Sequence, residues 1–226
     1  MAPNLEQPVA GVDGVPGGWV VARVAGGRVG WTVCASAAAV LQMAAGCAAV
    51  GVDIPLGLPG GRDRRACDLA TARALGRARS SVFPAPPREV LVAPTHAQAC
   101  VVARRLTGRA ISLQTFHIGA KILEWDALAR PAHVVEVHPE LALRRLAPDV
   151  EFAPKKTARG AGQRIAALAR WLDVPAALAD LPAGARLDDV LDALAAAWSA
   201  ARFAAGEAEI LGAETDDRGR PMRVAV

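Results

Sequence analysis

The chain has 226 residues, 53% of them hydrophobic and 21% charged, with 26 Lys and Arg against 22 Asp and Glu for a net charge of +4. That is ample for a sizeable core, while no apolar run reaches the ~18 residues of a membrane span, so no membrane-spanning helix is expected. The four cysteines (Cys34, Cys47, Cys67, Cys100) form no CxxC pair and have no His at zinc-finger spacing, so reduced, mostly buried thiols are expected rather than a structural zinc site. The opening MAPNLEQPVA has neither the basic end nor the apolar stretch of a signal peptide, so a cytoplasmic protein is expected. The basic residues are nearly all Arg, which suits phosphate binding, although the Arg and Ala enrichment could equally reflect genomic base composition.

After a lead-in of ten residues expected to be disordered, Val9 to Val12 is a short apolar run closing on Asp13. Gly14, Pro16, Gly17 and Gly18 supply a turn, Trp19 to Val24 resumes as a strand, and Gly26-Gly27 marks a hairpin into a third strand, Arg28 to Cys34. Ser36 can cap the short helix AAAVLQMAAG, and the strand AAVGVDI with Asp53 follows at once. A helix between strands in this way predicts a crossover that lays the fourth strand parallel to the first and brings Asp13 close to Asp53.

PLGLPGG is a loop, Arg62 to Leu75 reads as a helix, and RARSSVFPAPPREVL is broken by prolines. Between Arg62 and Arg88 seven arginines face only Asp63 and Asp68, the strongest local charge asymmetry in the chain. Thr95 to Leu106 and Gln114 to Ala129 read as helices, and HVVEVHPE (133 to 140) as a buried strand carrying Glu136. Helices follow over Pro139 to Leu146, Thr157 to Leu172 and Leu187 to Ala205, and VAV at the end can add a short strand. The expectation is one domain over 1–226 with an insertion at about 60–130.

Four segments place acids on apolar elements: Asp13, Asp53, Glu136, and the helix DDVLDALAAAWSA with Asp188, Asp189 and Asp192. Asp189 and Asp192 are three apart and share a helix face, and the Ala-rich surface beside them allows close approach to a sheet. Converging carboxylates cannot all stay ionised without a cation, and hard oxygen ligands select Mg²⁺ or Mn²⁺. Such ions serve phosphodiester hydrolysis. Plainer roles stand beside this one: Asp13 and Asp53 as turn formers, Glu136 as an arginine partner, Asp188 as a helix N-cap and Asp189 as a dipole partner. His138 shares the strand face of Glu136 and could shuttle a proton or be structural.

The segments GVDGVPGGWVVA, VGVDIPLGLP, RRACDLATAR, ARSSVFPAPPRE, QTFHIGAKILEWD, EVHPELALR and DDVLDALAAAWSA resemble the DUF429 family of predicted ribonuclease H-like, RuvC-like nucleases. The resemblance implies a ribonuclease H-like α/β fold: a mixed five-stranded sheet, three antiparallel then parallel strands, flanked by helices, with a helical insertion between the fourth and fifth strands. The metal ligands it implies are Asp13, Asp53 and Asp192, with Asp189 as an alternative and the choice between Glu136 and Glu140 open. Val15 stands where the family commonly has Cys, which argues against an essential thiol there.

The expected function is a metal-dependent nuclease in which Asp13, Asp53, Glu136 and Asp192 are catalytic and Mg²⁺ or Mn²⁺ is the cofactor. Nucleic acid is the expected partner, and a homodimer is one option for the oligomeric state. Arg64, Arg65, Arg79 and Arg88, with Ser80 and Ser81, are the expected phosphate contacts, joined by Lys121 unless it merely pairs with Glu124 one turn away. Nine aromatic residues, none of them Tyr, give no support to a base-stacking platform. The alternative is a nucleotide- or phosphate-binding protein, or an inactive interaction protein, on the same scaffold.

Overall fold

The apolar run that opens the chain folds back on itself at Pro16-Gly17, where Gly17 takes a positive φ of 78° that side chains rarely adopt. In the computed structural model, which describes residues 7–182 and 184–226, strand β1 (Val9–Val15) pairs antiparallel with β2 (Gly18–Ala25), setting Asp13 opposite Val20. Most of the lead-in, residues 1–6, lies outside the described residues. The Gly26-Gly27 hairpin leads into β3 (Arg28–Cys34), antiparallel to β2. The Ser36 hydroxyl caps α1 (Ala37–Met43) by accepting from the Ala39 amide at 3.2 Å, and the chain then crosses to β4 (Ala49–Val52). β4 lies parallel to β1 with Val12 opposite Val52, as the helix between the strands predicted.

The chain divides into two compact units. The second holds Ile54–Ala129 and Ile210–Val224. It contains α2 (Ala66–Leu75), a 3-10 turn at Gly76–Ser81, α3 (Arg88–Leu91), α4 (His96–Thr107) and α5 (Leu113–Asp126). The segment expected as an insertion at about 60–130 is thus a compact body of its own that also takes in residues near the C-terminal end. Arginine–carboxylate pairs knit it together. Arg88 bonds Asp126 and Asp216 at 2.7 Å each, and Asp126 also meets Arg218 at 3.0 Å and Arg220 at 2.8 Å. Burial alone would raise Asp126, yet these three arginines hold it below the ordinary carboxylate value.

The first unit holds the residues up to Asp53, Arg130–Glu209 and Ala225–Val226. Its later elements are β5 (Val134–Glu136), α6 (Pro139–Leu146), α7 (Ala158–Leu168), α8 (Val174–Ala179) and α9 (Leu187–Ala204). β5 runs parallel to β4 with Val52 opposite Glu136, so this unit has the strand order β3-β2-β1-β4-β5.

Every residue of α9 from Val190 to Ala201 is buried, because the helix is covered by strands on one side and by α6 and α7 on the other. The strand side is set by two glycines. A Cβ at Gly11 would stand 2.0 Å from the Ala193 carbonyl oxygen and 2.2 Å from the Ala197 nitrogen, and one at Gly51 would stand 2.4 Å from the Ala196 carbonyl oxygen. Backbone thus rests on backbone, which only glycine beneath alanine permits.

Among the described residues the fold is mixed α/β with seven strands and nine helices, which corrects the expected five strands. The two additional strands are β6 (Ile210–Thr215) and β7 (Pro221–Ala225), joined by a turn in which Asp216 Oδ1 accepts from the Arg218 and Arg220 amides at 2.9 Å each. β6 carries Gly212 at a φ of 88° and is mostly exposed, so it shows neither the alternation nor the apolar run that marks a strand. Helix α8 was hidden likewise, being a six-residue VPAALA segment beside a proline-containing loop. Among the described residues no helix is long and apolar enough to cross a membrane.

The contact at Gly11 yields a prediction. Gly11→Ala overpacks backbone that has no flexible side chain to yield, and destabilises the protein by about 3 kcal/mol, a melting temperature about 6–12 °C lower. Gly30→Ala, on an exposed strand position where an added Cβ would meet only the Arg23 carbonyl oxygen at 4.0 Å, changes stability by less than about 0.5 kcal/mol. Equal melting temperatures for the two variants would remove the tight seat proposed for α9.

Candidate metal centre

The parallel pairing of β1 and β4 ends at Val12 and Val52, and the next residue of each chain segment is a carboxylate, Asp13 within β1 and Asp53 just past β4. The Asp53 amide donates to the Val12 carbonyl at 2.9 Å, which continues the parallel ladder and aligns Asp53 with Asp13. Strand alternation then puts Gly11, Asp13, Gly51 and Asp53 on one face, the face that meets α9. On α9, Asp192 lies one turn before Ala196, the residue seated on Gly51, so the seat that fixes the helix also fixes Asp192 above the strand ends. Asp13, Asp53 and Asp192 each offer a carboxylate oxygen within 4.8 Å of the others.

The electrostatics of this trio are hostile to three negative charges. Burial, then the charges of Asp53 and Asp192, push the Asp13 carboxyl well above its ordinary value of 3.8, against a hydrogen bond that its Oδ1 accepts from the Gly14 amide at 2.7 Å. Burial, then Asp192, pushes Asp53 up to about 8, with Glu136 adding to the shift and Lys155 opposing it. Asp192 is raised by burial, opposed by Lys155 and Arg164. Lys155 Nζ sits 2.7 Å from Asp192 Oδ2. Burial would lower the Lys155 ammonium, but the charges of Asp192, Asp53 and Asp13 outweigh it and raise it above the ordinary lysine value.

A divalent cation fits these residues. The donors are all hard carboxylate oxygens, the set that Mg²⁺ and Mn²⁺ take in preference to softer metals. Each acid is raised first by burial, and Asp13 and Asp53 next by neighbouring carboxylates, and the cluster already draws a lysine ammonium to within hydrogen-bond distance.

Asp13, Asp53 and Asp192 are therefore brought together. Asp189, one turn earlier on α9, is near enough to raise Asp13 and is itself raised by burial and by Asp188. The N-cap of α9 is Arg186, and Asp188 is in the first turn rather than at the cap expected for it. Glu136 is buried beside Asp53 but is not one of the converging three. Its neighbours Val135 and Val137 pack with Ala196 of α9, so alternation turns Glu136 to the opposite face of the sheet. Glu140 is engaged elsewhere, accepting from Arg164 Nη2 at 2.6 Å. His138 stands at the N-cap of α6.

The expected phosphate contacts all lie in the second unit, and they divide. Arg65 is 1% exposed, bonded to the Asp68 carboxylate and to the Gly57 carbonyl at 3.2 Å, and Arg88 is held by Asp126, Asp216 and Asp217. Both guanidinium groups are consumed by their own chain, which corrects their reading as phosphate contacts. Ser81 donates to the Ala78 carbonyl at 2.8 Å, and Lys121 is half-buried on α5. Arg79 is exposed, while Arg64 and Ser80 line a cavity of about 300 Å³.

The residue that sequence reasoning missed is Lys155. Its signal was a KKT triplet just ahead of a helix, which is indistinguishable from an ordinary solvated pair of lysines until the fold sets it against Asp192.

One family model matches the chain, over residues 11–217, and its description is "Protein of unknown function (DUF429)". No curated protein and no solved structure matches the chain.

The raised acids set a pH dependence. In EDTA the folded protein keeps a proton on Asp53 up to about pH 8, whereas the unfolded chain releases it near 3.8. The folded state binds more protons across that window, so stability falls as pH rises through it, opposite to a salt-bridged aspartate. Thermal unfolding in EDTA will show the melting temperature of the wild type declining toward pH 8 more steeply than that of Asp53→Asn. Parallel curves would contradict the raised carboxyl.

Proposed function

For a chain that belongs to the DUF429 family, we propose a metal-dependent phosphodiesterase acting on nucleic acid, built on a ribonuclease H-like scaffold. The observation that carries the reading is the convergence of Asp13, Asp53 and Asp192 from the end of the parallel β1–β4 pairing and from one helix. The strand order β3-β2-β1-β4-β5, antiparallel at one side and parallel at the other, supports the scaffold.

Asp13, Asp53 and Asp192 hold one Mg²⁺ or Mn²⁺. Glu136, turned to the other face, is not a ligand of that ion in this reading and acts on it only through its field at Asp53. The bound ion supplies Lewis acidity toward a phosphodiester and the positive charge that keeps three carboxylates ionised. The chain does the rest. The Gly14 amide fixes the Asp13 carboxylate, and the turn at Gly17 and Gly18 keeps that edge of the site slim. Lys155 holds Asp192 in place, and its ammonium, partly exposed beside the carboxylates, would meet an anionic oxygen of a bound substrate.

Calorimetric titration with Mn²⁺ tests the reading. The wild type binds the ion, and Asp13→Asn, Asp53→Asn and Asp192→Asn each weaken binding by at least about tenfold. On a panel of branched, hybrid and single-stranded substrates, Mn²⁺-dependent cleavage of at least one falls by about 100-fold or more in the same variants. A wild type that binds no Mn²⁺, or cleavage unaffected in all three, would sink the proposal.

A further inference from the structure

Next to the carboxylates the first unit contains a cavity of about 430 Å³ whose walls are the first turns of two helices, α7 and α9. Four cations line it, Lys155, Lys156, Arg164 and Arg186, against two carboxylates, Asp188 and Asp192. Two of the cations are committed: Lys155 to Asp192 at 2.7 Å, and Arg164 to Glu140 at 2.6 Å. The other two are exposed and, among the described residues, make no ion pair; Arg186 acts on Asp189 through a backbone hydrogen bond and through its charge. The cavity therefore keeps an excess of positive charge.

Three further observations point to an anion. The positive ends of α7, with 11 residues, and α9, with 18, both reach the cavity wall, and each favours negative charge. The N-cap of α9 is Arg186, which makes no side-chain cap hydrogen bond. Arg164 is 3% exposed, yet its Nε has no hydrogen-bond partner while its two terminal nitrogens are bonded. That nitrogen is itself shielded from the cavity, so Arg164 bears on the site through its guanidinium charge. Apart from Thr157 the remaining lining is apolar and includes Leu187, 42% exposed, and Leu191. Cations beside an apolar wall suit a phosphate that carries an organic group, and the volume lies within the ~300–1,000 Å³ of ordinary ligand pockets.

We propose that this cavity is a nucleotide subsite, in which Lys156 and Arg186 hold a phosphate and the Leu187 wall receives the attached sugar or base. The choice of a nucleotide rests on the phosphodiesterase reading. The cavity adjoins the metal centre through Asp192 and Lys155, so a phosphate held there places the neighbouring phosphodiester of a strand at the carboxylates. Phosphate binding itself does not require the ion, because the cations and helix ends belong to the chain.

Calorimetry on the full chain in EDTA provides the test, with thymidine 5′-monophosphate, inorganic phosphate and thymidine as probes. The wild type binds the monophosphate, binds inorganic phosphate more weakly, and the affinity falls with added salt. The double variant Lys156→Ala/Arg186→Ala weakens monophosphate binding by at least about tenfold without weakening Mn²⁺ binding. Lys156→Arg keeps the charge and retains binding, which separates a lost contact from a damaged fold. Asp13→Asn does the reverse of the double variant, losing Mn²⁺ and keeping the nucleotide. No monophosphate binding by the wild type, or equal binding by the double variant, overturns the subsite, and equal affinity for inorganic phosphate overturns its nucleotide assignment. If Mn²⁺ fails to bind while the nucleotide results hold, the metal reading falls and the subsite stands.

Discussion

The contact on which the first unit depends is the seating of α9 directly on the backbone of β1 and β4. Gly11 beneath Ala193 and Ala197, and Gly51 beneath Ala196, let helix and strands approach to a separation at which no side chain fits between them. Each glycine lies two residues before an aspartate that alternation places on the same face, and Ala196 lies one helical turn after Asp192. Packing and site are thus one arrangement. The residues that let the helix come close are in fixed register with those that carry the charge.

That closeness explains the electrostatics. Three carboxylates drawn together under a buried helix repel one another and lose water, and the raised Asp13, Asp53 and Asp192 are the direct result. The chain partly relieves this with Lys155, from the segment ahead of α7, and with the charge of Arg164. These are three carboxylates whose geometry could hold a metal ion. The cations around Asp192 continue into a cavity that bears on the anionic partner such a cation would share.

The second unit uses its charge differently. Its arginine-rich segment has the composition of a phosphate-binding surface, yet Arg65 and Arg88 each close a buried ion pair that ties distant pieces of chain together: Arg65 to the Gly57 loop, Arg88 to Asp126 and Asp216. Arginine's fork satisfies several acceptors at once, which suits a unit whose loops carry many prolines and little regular structure. Local charge excess measured along the sequence did not see the acids at 126, 216 and 217, because they are up to 129 residues away.

The sequence by itself determined the elements whose signals are local. The three-strand meander with its Gly-Gly hairpin, the Ser36-capped crossover, the Pro139–Leu146 helix and the acids at 13, 53 and 192 all follow from alternation, turn chemistry and helical spacing within a few residues. The family was legible for the same reason, since its motifs are short and contiguous. Only the tertiary structure decided the rest. Glu136 is an acid in a buried strand like Asp53, and its exclusion from the trio depends on which face of β5 meets α9. Lys155 and the cations of its cavity had no pattern to mark them, and Arg65 and Arg88 had a misleading one. In each case the deciding quantity was a distance between residues far apart in sequence, which periodicity and composition do not contain.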